Sequence, residues 1–459
     1  MKRWLFLLLL AGGLASCSAA DTKTSYPIHP GAFATASLPL SEEELAWADR
    51  FALVETGDLH EPADPGVASL RRRGVNVLLY EWMPAGYHYT DGGPDFPFMR
   101  WVYTGRENLT LNPSGPFPHC AEAGYDWCQD YYYDLALPEL RAARVKDVAE
   151  NLAAASATGV FFDWGPGVFI EDDAYSSMRQ TFAQRHPGGD YLAAVGDFYA
   201  ELRAALPAER LIVSNQGFRN AGNVLPYVDL DMTESYGTGE EYLGRRLYLE
   251  GRGWTEVPST IYYPVSEDFR DGRLRDTLSW LDELDGLAAR WAGSRFRGFV
   301  YMNYAAPDFE PVGKLADGTR VYAPRPPRNA VFYGYALPLL KGWTGYTETP
   351  WDHAFERGFE LYFADLGAPL EEDYLEVVSG SGSVYLRCYE NGVVLVGEGE
   401  HAGRLEISAP CIRQGRVFDL YTETWVKAAP GRLELTVTAV DDEVTGRPAP
   451  WGRILVYAR

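Results

Sequence analysis

With 459 residues, 46% of them hydrophobic, the chain can bury one large core plus a smaller one, which excludes wholesale disorder. Its 41 basic against 64 acidic residues give a formal charge of −23, which argues against nucleic acid and polyanionic glycans as partners. A neutral or cationic polymer is compatible with that field.

The N-terminus reads as an export signal: Lys2 and Arg3, then the apolar run Trp4 to Leu10, then small residues. The run is too short to span a bilayer. Leu14-Ala15-Ser16-Cys17 resembles the lipobox of bacterial lipoproteins. The resemblance implies a signal peptide over 1–16, lipidation of Cys17, and a membrane-anchored protein of the bacterial cell envelope facing the periplasm or exterior. Residues 17–40, rich in Ser, Thr, Ala and Pro, then read as a tether. Setting Cys17 aside leaves Cys120, Cys128, Cys388 and Cys411, an even set for an oxidising compartment. Proximity in sequence favours pairing Cys120 with Cys128 and Cys388 with Cys411. A monomer is expected.

Ser41-Glu42-Glu43-Glu44 has the spacing of a capping box before a short helix, Leu45 to Asp49. Phe51 to Glu55 reads as a first strand, with Asp58 beyond it. Asp64-Pro65 opens a helix ended by Arg71-Arg72-Arg73-Gly74. Strands are expected at Val75 to Tyr80, followed by Glu81 and Trp82, and at Met99 to Tyr103. Residues 104–130 form a long loop. Pro138 starts a helix that leads to the strand Gly159 to Asp163, which a Gly-Pro turn stops. A helix from Tyr191 to Leu206 precedes the strand Leu211 to Ser214, which ends at Asn215. Further strands are Val228 to Thr233 (ending at Glu234), Thr260 to Val265 (with Glu267 and Asp268 at its end) and Phe299 to Met302 (ending at Asn303). Helices run through Leu278 to Trp291 and from Asn329 to Leu340.

About eight strands alternating with helices over residues 41–349 are the proportions of an α/β fold of the (β/α)8 TIM-barrel type. A doubly wound sheet is the alternative, but no Gly-x-Gly-x-x-Gly turn follows a strand. From about residue 350 short strands separated by turns such as Asn391-Gly392 predict a small C-terminal antiparallel β-sandwich over 350–459.

Ser214 and Ser235 lack a Gly-x-Ser-x-Gly elbow, and the seven histidines lack zinc-ligand spacing. What remains is carboxylates at strand ends: Glu55, Asp58, Glu81, Asp163, Glu234, Glu267 and Asp268. Glycosidic bond cleavage needs two, one to protonate the leaving oxygen and one to attack or to activate water. Trp82, Trp164, Tyr236, Tyr263, Tyr301 and Tyr304 are candidate sugar platforms, although core packing is the commoner use of such residues. The pattern alone does not choose the pair.

The run Tyr131-Tyr132-Tyr133-Asp134-Leu135-Ala136-Leu137-Pro138, then a helix and Gly159 to Trp164, resembles barrel glycosidases of the glycoside hydrolase family 114 (endo-α-1,4-polygalactosaminidase) type. Asp229 to Glu234 is similar to that family's Asp-x-x-x-x-Glu strand. The resemblance covers about residues 45–345 and implies that Asp163, on the fourth strand, and Glu234, on the sixth, are the catalytic carboxylates. The expectation is an exported glycoside hydrolase of a neutral or cationic polysaccharide. Glu81, Asn215, Tyr263 and Asn303 are expected to position substrate, and no organic cofactor or metal is required. The rival is a glycan-binding lipoprotein that uses the same aromatic cleft without chemistry.

Overall fold

The computed structural model describes residues 33–36, 39–60, 64–86, 96–113, 131–234, 239–249, 253–263, 274–304, 308–314, 320–325, 328–348, 360–379, 382–439 and 448–458. For 174, 239–249, 253–263, 276, 303–304, 308–314, 320–325 and 348 it describes the backbone alone. Residues 1–16, read as a signal, and Cys17, Cys120, Cys128, Tyr236, Glu267 and Asp268 lie outside the described residues.

Eight parallel strands pair in chain order: β1 (Phe33–Ala36), β2 (Leu53–Asp58), β3 (Asn76–Trp82), β4 (Gly159–Asp163), β5 (Leu211–Asn215), β6 (Leu230–Glu234), β7 (Phe299–Tyr304) and β8 (Thr344–Glu348). β8 returns beside β1, so the sheet rolls into a TIM barrel with helices around it. The helices include α1 (Glu42–Ala48), α2 (Pro65–Arg72), α3 (Pro97–Leu109), α4 (Pro138–Ala154), α5 (Ser176–Arg185), α6 (Tyr191–Ala205), α7 (Leu274–Trp291) and α8 (Arg328–Leu339). The capping box forms as expected: the Ser41 hydroxyl accepts from the Glu44 N–H, and Glu44 accepts from the Ser41 N–H. Asp190 caps α6 by accepting from the Leu192 and Ala193 N–H groups.

Six of the eight expected strands belong to the barrel, and two do not. Met99 to Tyr103 lies in α3, whose buried Phe98, Met99, Val102 and Leu109 follow a helical rather than an alternating period. Thr260 to Val265 overlaps the second arm of an antiparallel hairpin, Gly239–Leu249 with Gly253–Tyr263, which leaves the barrel after β6. Their places are taken by β1 and β8. β1 falls inside the stretch read as a tether, so the barrel sheet starts at Phe33 rather than after residue 40.

The C-terminal domain is antiparallel β, as expected. Its strands β9 (Leu375–Ser379), β10 (Gly382–Tyr389), β11 (Gly392–Gly397), β12 (Gly403–Ser408), β13 (Gly415–Asp419), β14 (Thr424–Ala429), β15 (Arg432–Val437) and β16 (Trp451–Tyr457) form one continuous ladder rather than two sheets. That ladder curls until its ends meet, where the Glu406 N–H donates to the Ser379 hydroxyl at 3.1 Å. A Cys388–Cys411 disulfide ties β10 to the segment after β12, the pairing expected from sequence.

The domain packs on α8. Tyr389 Oη donates to the Leu339 carbonyl at 2.6 Å, and Arg387 donates to the Leu340 carbonyl at 2.9 Å. Arg328 donates to the carbonyls of Leu420 and Tyr421. Among the described residues, no helix is long and apolar enough to cross a membrane.

Candidate active site

Three side chains at the carboxyl ends of adjacent strands meet at the barrel mouth: Asp163 from β4, Asn215 from β5 and Glu234 from β6. The Asn215 side-chain amide uses one N–H for each acid, 2.8 Å from Asp163 Oδ1 and 2.5 Å from Glu234 Oε2. The separation of those two oxygens therefore cannot exceed 5.3 Å, the sum of the two bonds. Asp163 also accepts from Tyr80 Oη at Oδ2 and from the Trp164 N–H at Oδ1, both at 2.8 Å. Three donors on one carboxyl group form the acceptor-only environment of an ionised carboxylate, and they fix its plane.

The chain beyond each strand end is bent to serve the site. Trp164 (φ 54°) and Gln216 (φ 57°) directly follow Asp163 and Asn215, and both are left-handed, a conformation that costs a non-glycine residue energy. Gly165 follows at once. A Cβ there would come within 2.9 Å of Ser214 Cβ and 3.1 Å of the Asn215 carbonyl, so only glycine lets the β4 loop lie on the end of β5.

These residues border a cavity of about 490 Å³, a size typical of small-molecule sites. Its walls include Trp164, Phe169 and Tyr175, which also touch one another, with centroids 5.2–6.2 Å apart. Among its described lining residues, four are acids (Asp163, Glu171, Asp172 and Glu234) and one is a cation, Arg219.

Other expected site residues fall elsewhere. Glu81 is 1% exposed and turned away from the mouth, where it ion-pairs with Arg144 and lies 3.0 Å from His60 Nδ1. The reason is strand alternation: Tyr80 points to Asp163, so its neighbour Glu81 points out of the barrel toward α4. Trp82 is 7% exposed and stands behind Trp164, with ring centroids 6.3 Å apart. Tyr301 is 1% exposed and packs in the core. Asn303 lies on β7 and Tyr263 in the hairpin, but their side chains lie outside the description. Sequence reasoning missed Tyr80, Phe169, Tyr175, Gln216, Arg219, Glu171 and Asp172. Tyr80 was recoverable from the two-residue period of a correctly placed strand; the loop residues carried no such signal.

Among the described residues, two clusters have the residue types of a metal site. Asp58, His60 and Glu81 form one, but both ring nitrogens of His60 face carboxylates, and the Arg144 guanidinium already neutralises Glu81. Glu371, Cys388 and Cys411 form the other, and there the sulfurs are joined in the disulfide. Neither fits a cation.

No protein-family model matches the chain. No curated protein matches it either. Among solved structures, it is similar to the glycoside hydrolase domain of PelA from Pseudomonas aeruginosa at 18% identity, covering 70% of this chain and 95% of that one, with a TM-score of 0.41. Ega3 from Aspergillus fumigatus in complex with galactosamine aligns at 12% identity over 64% of this chain and 84% of that one, with a TM-score of 0.36. A noncanonic maltogenic α-amylase, AmyB from Thermotoga neapolitana, aligns at 11% identity over 91% and 93%, with a TM-score of 0.47.

Proposed function

We propose that the protein is a glycoside hydrolase that works with retention of configuration through Asp163 and Glu234. The observation that carries this reading is the single Asn215 amide bridging both acids, which limits their nearest oxygens to 5.3 Å. Retaining glycosidases hold their carboxyl groups about 5–5.5 Å apart, whereas inverting ones leave roughly 6.5–9.5 Å for a water. Asp163, held by three donors, is the nucleophile. Glu234 protonates the leaving oxygen and then, as base, activates the water that releases the sugar.

The aromatic wall supplies stacking faces for sugar rings, and the surplus of acids in the cavity favours a neutral or cationic polysaccharide. The Lys2–Cys17 stretch supports export and anchoring at Cys17, in the bacterial envelope. If so, Cys17→Ser should move the protein from the membrane to the soluble fraction.

The test of the chemistry is a polysaccharide panel, including amine-bearing glycans, scored for binding and for reducing-end release. Asp163→Asn and Glu234→Gln should each reduce release at least 10³-fold with unchanged circular dichroism. Proton NMR of the first product should show the anomer of the substrate. Normal turnover in either variant, or the opposite anomer, overturns the assignment, and binding without cleavage by the unaltered protein favours a glycan-binding role.

A further inference from the structure

Asp231 is a fully buried acid on β6, three residues before Glu234, and its carboxylate does not touch the cavity. Among the described residues, three hydrogen bonds reach its carboxylate, all from one short stretch of chain. The Ser214 hydroxyl donates to Oδ1 at 2.5 Å, the Gly217 N–H to Oδ1 at 2.7 Å and the Phe218 N–H to Oδ2 at 2.9 Å. The Gln216 N–H is held by the next residue of β6, donating to the Met232 carbonyl at 2.7 Å. Residues 214, 216, 217 and 218 are thus all fastened to Asp231–Met232. Asn215 sits in the middle of this stretch and sends its side chain the other way, to both acids.

The fit is tight as well as bonded. A Cβ on Gly217 would lie 2.5 Å from Ser214 Oγ and 2.9 Å from Asp231 Oδ1, so the turn is seated directly on the carboxylate. The β5–β6 ladder already joins the two strands, so pairing does not require these bonds. Their distinct effect is on the turn, including the left-handed Gln216, which sets where Asn215 points.

We infer that Asp231 is the positioning residue of the pair, holding the turn after β5 so that Asn215 reaches Asp163 and Glu234 together. This rests on the reading of those two acids as catalytic. Burial pushes the Asp231 acid up to about 7 against the pull of its three donors, so its protonation sits near neutrality.

The test reads Asn215 directly. With side-chain amides of asparagine labelled with ¹⁵N, the resonance assigned to Asn215 (by its loss in Asn215→Asp) should shift in Asp231→Asn. The resonances of Asn76 and Asn151, which lie elsewhere, should stay in place. In the same variant turnover should fall at least tenfold with KM changed less than twofold, since the acids and the aromatic wall remain. A loss that merely reflected weaker folding would lower the melting temperature without moving one amide signal selectively. An unmoved Asn215 signal in folded Asp231→Asn overturns the inference. If that variant does not fold, Ser214→Ala removes one of the three donors and should give a smaller displacement; no displacement there overturns it too. Failure of the parent reading is separable, because it would appear as normal turnover in Asp163→Asn or Glu234→Gln whatever the amide signal does.

Discussion

In the proposed mechanism, two acids and the amide between them divide the chemistry by environment. Asp163 is pinned by Tyr80, Trp164 and Asn215, and Glu234 shares the Asn215 amide. Asn215→Ala should therefore do more than remove a contact: it takes away the donor that the two carboxylates share. Reducing-end release should fall about 10²-fold, with the pH optimum displaced, which a pH–rate profile would register. Trp164 carries a second prediction. It is 38% exposed, walls the cavity, and holds a left-handed backbone. Trp164→Ala and Trp164→Gly should both raise KM by losing the stacking face. Trp164→Gly should nonetheless be the more stable by about 1 kcal/mol, because only glycine adopts that φ without strain; urea unfolding compares them. Left-handed residues at two consecutive strand ends cannot be read from sequence, since neither Trp nor Gln is a residue that favours the conformation. Asp163 and Asn215 were legible because a short apolar run ending in a polar residue is itself a signal.

At the level of elements, the contact between β3 and α4 holds a buried charge cluster. Arg144 pairs with Glu81 and, at 3.2 Å, with Asp147, while His60 lies 3.0 Å from Glu81 and 2.9 Å from Asp147. Burial opposes a charge on His60, but Glu81 and Asp147 outweigh it and lift the imidazolium up to about 9 from its ordinary 6.5. The folded protein therefore binds this proton more tightly than the unfolded chain. Its contribution, ~3 kcal/mol, is fully present below pH 6.5 and lost as pH rises through 9. Urea unfolding at pH 6 and pH 9.5 should show the loss, and His60→Gln should lack that component of it. Equal pH dependence in the two proteins would refute the assignment. The cluster also explains why strand ends mislead: a carboxylate at the end of β3 carried the right composition but faced the helix layer. Elements were legible where apolar period and caps agreed, as in α1, α6 and β4. They were not where a strand was four residues of Phe-Ala-Thr-Ala in a polar stretch, as in β1, or held a single aromatic among polar residues and glycine, as in the Thr-Gly-Tyr-Thr-Glu of β8.

On the scale of the molecule, the barrel's hydrophobic core continues into one face of the β domain, whose other buried face forms a second, smaller core around Leu386, Leu395, Ile407 and Leu455. A contiguous buried cluster runs from Phe33 through the barrel to Tyr385, Tyr389, Val394, Val396 and Ile454 of the C-terminal sheet. α8 lies at the junction, buried along nearly its whole length from Val331 to Leu339, and that is why it is apolar all round rather than striped. Hydrogen bonds from Arg328, Arg387 and Tyr389 close the polar groups around this contact. Lys341 adds a hinge of charge: it lies 2.6 Å from Asp282 on α7 and 2.7 Å from Asp373 ahead of β9. The change from helix-strand alternation to short strands near residue 350 marks the two parts in sequence, but nothing in that change reveals whether they are thermodynamically separate. The part of the core that spans both argues that they are not. Calorimetry of the whole chain should show one cooperative transition with matching calorimetric and van't Hoff enthalpies. Residues 1–349 alone, with α8 stripped of its cover, should bind a hydrophobic dye and aggregate. Two well-separated transitions, or a soluble and folded barrel fragment, would show the β domain to be an appendage rather than one wall of the molecule's core.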